Sequence, residues 1–165
     1  MFGMSGKTIA DHIATVWGAG PVAPSSTTPD YVSLKDVAAI EVVIYGINTT
    51  GVTGSAITLL QASAVAGTGE KALAFDTYYA NADTGASAAF TKTTANSNTF
   101  TTTNTNSKTF CYRIPVDPAT LDINGGFDCL RAGTANATNT TLCVFYNIVP
   151  KYGGNAANMP AFITD

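Results

Sequence analysis

Two segments, IEVVIYGI at residues 40–47 and LCVFYNIV at 142–149, are apolar at odd and even positions alike, and they constrain the fold more than any other stretch of the chain. A β-strand wetted on one face alternates apolar with polar residues, so a strand apolar on both faces is one with both faces covered. In the first segment Ile40, Val42 and Ile44 fall on one face and Val43, Tyr45 and Ile47 on the other. Two coverings satisfy the pattern equally well: a neighbouring subunit, or an N-terminal arm of the same chain laid over a central strand.

Other segments read as strands too. Runs at 31–34, 37–47, 56–63, 70–79, 99–103, 109–116, 127–132 and 142–149 give about eight strands. Turn residues separate them at 51–54, 67–69 and 124–126, where Gly and Asn tolerate positive φ. Composition agrees, since 26 Thr and only two Glu make a chain rich in strand formers and poor in surface-helix formers. A length of 165 residues is enough for one core. The expected fold class is all-β: a jelly-roll-like antiparallel β-sandwich of about eight strands with a short N-terminal helix or arm.

That helix is expected over residues 5–17, SGKTIADHIATVW, where Ile9, Ile13, Val16 and Trp17 share one helical face, with Ser5 as N-cap and Gly18 as stop. Residues 18–30 contain three prolines and no period, and read as an extended linker. The expected organisation is an N-terminal arm at 1–30 and a β-sandwich domain at 31–165. Ile9, Ile13 and Trp17 are the arm's candidate interface residues, because a Trp anchor is a common interface hot spot. Between 83 and 110 the chain becomes a Thr/Asn tract in which 91–100 and 101–110 agree at six of ten positions. Phe90, Phe100 and Phe110 recur through it, which suits successive strands anchored by their aromatic residues. The tract is either an exposed hairpin of no specific role or a partner-contacting loop, with Phe100 and Phe110 as further interface candidates.

No catalytic constellation emerges. Gly3-Met4-Ser5-Gly6-Lys7-Thr8 has too few residues between its glycines for a phosphate loop, and no strand precedes it. His12 is the only histidine, so any Ser-His-Asp or Cys-His arrangement would have to recruit it from the N-terminal segment. Three Cys without a C-x-x-C make a poor zinc cage, and DPATLDINGGFD at 117–128 lacks the closing acid of an EF-hand and reads as a turn. The thiols read as buried and free, with Cys111–Cys143 or Cys111–Cys129 as the alternative pairings. No enzyme, metal or cofactor is expected. Eight Lys and Arg against eleven Asp and Glu, without a basic cluster, argue against nucleic acid. No apolar run is long enough for a membrane span, and the first twenty residues do not resemble a signal peptide, which suggests cytoplasmic synthesis. Charged residues are only 12%, a sparse covering for a small domain's surface, which points to an assembly component whose partners cover much of it.

The order of ITLLQASAVAGTGEKALAF at 57–75, RIPVDPATLDINGGFDCLRAG at 113–133, CVFYNIVPKY at 143–152 and MPAFITD at 159–165 resembles small structural proteins encoded in the virion modules of tailed bacteriophages, among them head-decoration or cement proteins. The resemblance covers somewhat less than half of the chain and includes no catalytic signature. It implies a jelly-roll-like sandwich displayed on the capsid surface, synthesised in the host cytoplasm, with the major capsid protein and itself as partners, as a homotrimer. The competing class is a tail, connector or fibre component with a receptor- or carbohydrate-binding role, for which Tyr78, Tyr79 and Asn81 are the nearest candidates.

Overall fold

Because β-branched and aromatic residues dominate its apolar runs, the regular structure of the chain's described residues is almost wholly strand. The computed structural model describes residues 9–95 and 97–151. Among them are β1 (Ala14–Val22), β2 (Val32–Ser33), β3 (Val37–Asn48), β4 (Ala56–Ala62), β5 (Lys71–Ala72), β6 (Thr77–Asn81), β7 (Thr91–Thr94), β8 (Thr99–Thr101), β9 (Thr109–Val116), β10 (Cys129–Thr134) and β11 (Thr140–Pro150). They form two antiparallel sheets packed as a sandwich. The larger sheet runs β1-β11-β3-β9-β6-β7, and the smaller β2-β10-β4-β5 with β8 also on β4.

The pairings nest. β1 pairs with β11, β2 with β10, β3 with β9 and β4 with β8, as in one long hairpin whose arms run outward from its tip. Two further pairings, β3 with β11 and β4 with β10, appear when such a hairpin is rolled on itself. The hairpin of β6 and β7 is added beyond β9 and extends the larger sheet.

The inward rows close the core. Ile40, Val42 and Ile44 of β3, Phe110, Tyr112 and Ile114 of β9, and Leu142, Val144, Tyr146 and Ile148 of β11 are all buried, as are Ile57 and Leu59 of β4 and Leu130 and Ala132 of β10. Tyr146 spans the sandwich: its hydroxyl donates to the Asp30 carbonyl at 2.9 Å and accepts from the Ala132 N–H at 3.2 Å. Its ring lies over Gly18, where a Cβ would come within 2.7 Å of it. Gly46 is required in the same way, since a Cβ there would stand 2.4 Å from the Phe110 ring and 2.8 Å from the Thr141 carbonyl.

Several expectations are corrected. The helix over 5–17 is not formed in its described part: Ile9–Asp11 is a single 3-10 turn and Ala14–Val22 is the strand β1. The apolar residues at 9, 13, 16 and 17 fit a helical face by spacing alone. In the strand, Val16 packs toward the core while Trp17, its neighbour, is exposed on the other side. The linker expected at 18–30 begins inside that strand, so the boundary at residue 30 does not separate an arm from the sheet. Phe100 and Phe110 are core residues, 8% and 0% exposed, because alternation in β8 and β9 turns them inward onto Tyr112. The single run expected at 70–79 is divided between the sheets as β5 and β6. Residues 3–8, which carry the phosphate-loop-like sequence, and the terminal segment 152–165 lie outside the described residues.

Candidate functional site

The outward positions of the larger sheet carry exposed large apolar side chains. Register sets them in rows across the strands. One row runs Trp17, Phe145, Val43, Arg113 and Tyr79, from β1 through β11, β3 and β9 to β6. Beside it lies Cys143, Tyr45 and Cys111, then Thr141, Ile47 and Thr109; on the other side lie Thr15, Asn147, Glu41 and Pro115. Trp17 is 59% exposed, Tyr45 44% and Ile47 46%, values high enough that a partner could cover each of them substantially. Val43 beneath them is already buried.

Local contacts hold this face in place. The Trp17 and Phe145 rings meet at 5.9 Å with an interplanar angle of 55°, within the range of favourable tilted aromatic pairs. Arg113 grips Glu41 with two nitrogens, Nε at 2.9 Å and Nη2 at 3.0 Å, and its guanidinium lies 5.4 Å from the centre of the Phe90 ring. Asn81 is buried and donates to the Ser87 carbonyl at 2.7 Å, so the loop after β6 forms a rim at that end. Burial pushes the Cys111 and Cys143 thiols above the ordinary range, and the Cys143 thiol donates to the Tyr45 carbonyl at 3.4 Å. Both cysteines stand opposite Tyr45 on the strands flanking β3, two strand spacings or about 9.6 Å apart, too far for a disulfide. All three cysteines are free. The Arg113–Glu41 pair is spent on itself and the exposed Lys92 stands out at β7, so from β1 to β9 the face offers a partner contact area, aromatic rings and dispersion.

A second cluster lies on the smaller sheet. The Tyr31 hydroxyl donates to Glu70 Oε2 at 2.6 Å, and Arg131 donates to the same oxygen from Nη2 at 2.6 Å and Nε at 3.0 Å. The guanidinium sits 5.2 Å over the Tyr31 ring. Desolvation, followed by the hydrogen bond to Glu70, pushes the Tyr31 hydroxyl up to about 12. The bonds from Tyr31 and Arg131 hold the Glu70 carboxyl below its ordinary value. These residues line a cleft of about 420 Å³ with Thr28, Pro29 and Gly67. With each polar group committed to another, the cluster is a clamp joining the segments before β2 and β5 to β10.

The sequence-derived candidates fall out unevenly. Ile9 and Ile13 are exposed in the turn leading to β1, and Trp17 belongs to the sheet face, whereas Phe100 and Phe110 do not reach the surface. Tyr78 stacks on Phe100 at 4.1 Å, separate from the outward Tyr79 and the committed Asn81, so these three do not form a sugar platform. In 117–128 Asp117 and Asp122 act as turn caps, Asp117 accepting from Ala119 N–H and Asp122 from Gly125 N–H, with Lys71 paired to Asp122, while Asp128 accepts from the Cys129 thiol. His12 Nε2 is buried without a hydrogen-bond partner. No cluster of three or more His, Cys, Asp or Glu suited to a metal occurs among the described residues, and none of their helices is long and apolar enough to cross a membrane. Phe145, Tyr45 and Ile47 were not singled out as site residues, although the two-faced apolarity of their segments is the signal that marks them.

Comparison with protein-family models, with curated proteins and with solved structures finds no match.

Proposed function

We propose that this chain is a non-enzymatic virion structural protein, a decoration or cement subunit on the capsid of a tailed bacteriophage, acting through contacts with the major capsid protein and with other copies of itself. The observation that carries this reading is the outer face of the larger sheet, where Trp17, Tyr45 and Ile47 leave apolar area uncovered around an ion pair that is already satisfied. Exposed apolar area of this kind is what protein interfaces use. The nested pairing of β1–β4 with β8–β11 supports a jelly-roll reading, an architecture shared by viral capsid and lectin domains. A decoration subunit links neighbouring capsid proteins and adds contact area to a shell under pressure from packaged DNA, so binding is its whole activity.

The test is affinity capture of the tagged protein from a lysate of its natural source, with mass spectrometry of what is retained. The expected result is a major capsid protein, lost when Trp17 and Tyr45 are both changed to Ala. Recovery of tail proteins, or of a glycan-bearing surface component alone, would overturn decoration in favour of attachment.

A further inference from the structure

We infer that the outer face of the larger sheet is self-complementary and packs against the same face of a second copy about a two-fold axis. The inference rests on the reading of this face as the protein's interface, and names its occupant.

Shape is the first argument. Strands twist with one hand, so a surface that fits a twisted sheet over several strands is another sheet of the same twist, laid face to face at about −30° with backbones about 10 Å apart. A second copy supplies that surface, with its own rows of Trp17–Phe145–Val43 and Tyr45–Ile47 to interdigitate.

Charge is the second. A two-fold interface sets a patch against itself, so any net charge on it is repeated across the axis. Across β11, β3 and β9 the outward rows hold one carboxylate, Glu41, and one guanidinium, Arg113, and these neutralise each other. Two such faces meet without net like charge, and each pair can complete the other's remaining hydrogen bonds. A partner chosen by charge would need an unpaired charge within this footprint, and Lys92, unpaired among the described residues, stands opposite Tyr79 on β7, outside it.

Area is the third. Four strands from β1 to β9 span about 19 Å including side widths, and Ala39 to Ile47 runs about 27 Å, a footprint of about 500 Å² per copy. A pair then buries about 1,000 Å² in total, at the low end for a specific interface, which describes a weak pair that dissociates on dilution.

The chain carries its own reporter, because Trp17 is the only tryptophan and lies in the patch. Purified full-length protein is measured by light scattering and Trp emission over a dilution series from ~100 μM to ~0.1 μM, spanning the affinity of a weak interface. The expected result is a mass twice the 17.0 kDa of the chain at high concentration, with Trp17 emission moving to the red as the pair dissociates. Ile47→Lys and Tyr45→Lys, at exposed outward positions, should each weaken pairing at least tenfold with an unchanged far-ultraviolet spectrum, while Ile123→Lys, exposed outside this face, should not. A monomer throughout, a mass three times that of the chain, or a pair indifferent to both lysine variants overturns the inference. Capsid-protein capture separates the two readings: if the chain stays monomeric but Ile47→Lys abolishes capture, the interface stands and its occupant is not a second copy. If Ile47→Lys abolishes pairing and leaves capture intact, the second copy holds and the capsid contact lies elsewhere.

Discussion

The Tyr146 hydroxyl joins β11 in one sheet to β10 in the other and to the segment leading into β2, from a wholly buried position. Removing only that oxygen leaves the Ala132 N–H without its acceptor inside the core. Tyr146→Phe should therefore cost about 1–3 kcal/mol, read as a lower denaturant midpoint with an unchanged slope. Glu70 and Tyr31 give stability a pH dependence at both ends. Glu70 has a lowered pKa in the fold, so its contribution is present above the ordinary carboxylate range and is lost as pH falls through it. The Tyr31 pKa is raised to about 12, so its contribution is complete below the ordinary tyrosine value of 10.0 and is lost as pH climbs between the two. Thermal melts should decline in both windows, and Glu70→Gln should flatten the acid limb; an unchanged limb would show that the clamp adds nothing.

Strands decide the next scale, and β1 is the instructive one. Gly18, Gly20 and Pro21 give its second half the look of a linker, yet an edge strand with register shifts accommodates glycine and proline at little cost. Ile9, Ile13, Val16 and Trp17 satisfy a helical period, and local sequence did not reveal that β11 would offer an edge to pair with. By contrast, β9 was legible to the residue, because the alternation in TFCYRIPV is unbroken. The run at 70–79 was legible as β structure but not as two strands, since nothing local says that the chain changes sheets between Ala72 and Thr77. For the site, two-faced apolarity correctly marked β3 and β11, but their outer face is only part covered: Val43 is buried while Tyr45 and Ile47 remain open. Deleting residues 1–22 would strip β11 of a neighbour and uncover core residues beside Val16 and Ala19. That deletion should abolish the cooperative melt, whereas an intact transition would show β1 to be dispensable. A milder check is Gly46→Ala, whose Cβ meets the Phe110 ring; it should lower stability by about 1–3 kcal/mol, with partial relief from Phe110→Leu.

For the molecule as a whole, the nested pairings put the longest sequence separations at the sheet edge, with β1 waiting for β11. Chains dominated by such distant pairings close large loops before contacts reward them, so refolding should proceed in milliseconds to seconds, not microseconds. Stopped-flow Trp17 emission after dilution from denaturant measures this, and a microsecond burst accounting for the full amplitude would contradict it. Inward rows and the buried Val43 fix the sandwich, whereas the exposed outward residues Trp17, Tyr45 and Ile47 can change with little effect on it.

Ala14 stands directly opposite Ile148, so the chain enters its first strand beside the point where it is about to leave its last. A cargo domain fused ahead of residue 9 and another fused after residue 151 would therefore depart from the same end of the sandwich. A short bridge joining those ends would give a circularly permuted chain with new termini in the loop at 83–90, leaving every nested strand pair uncut.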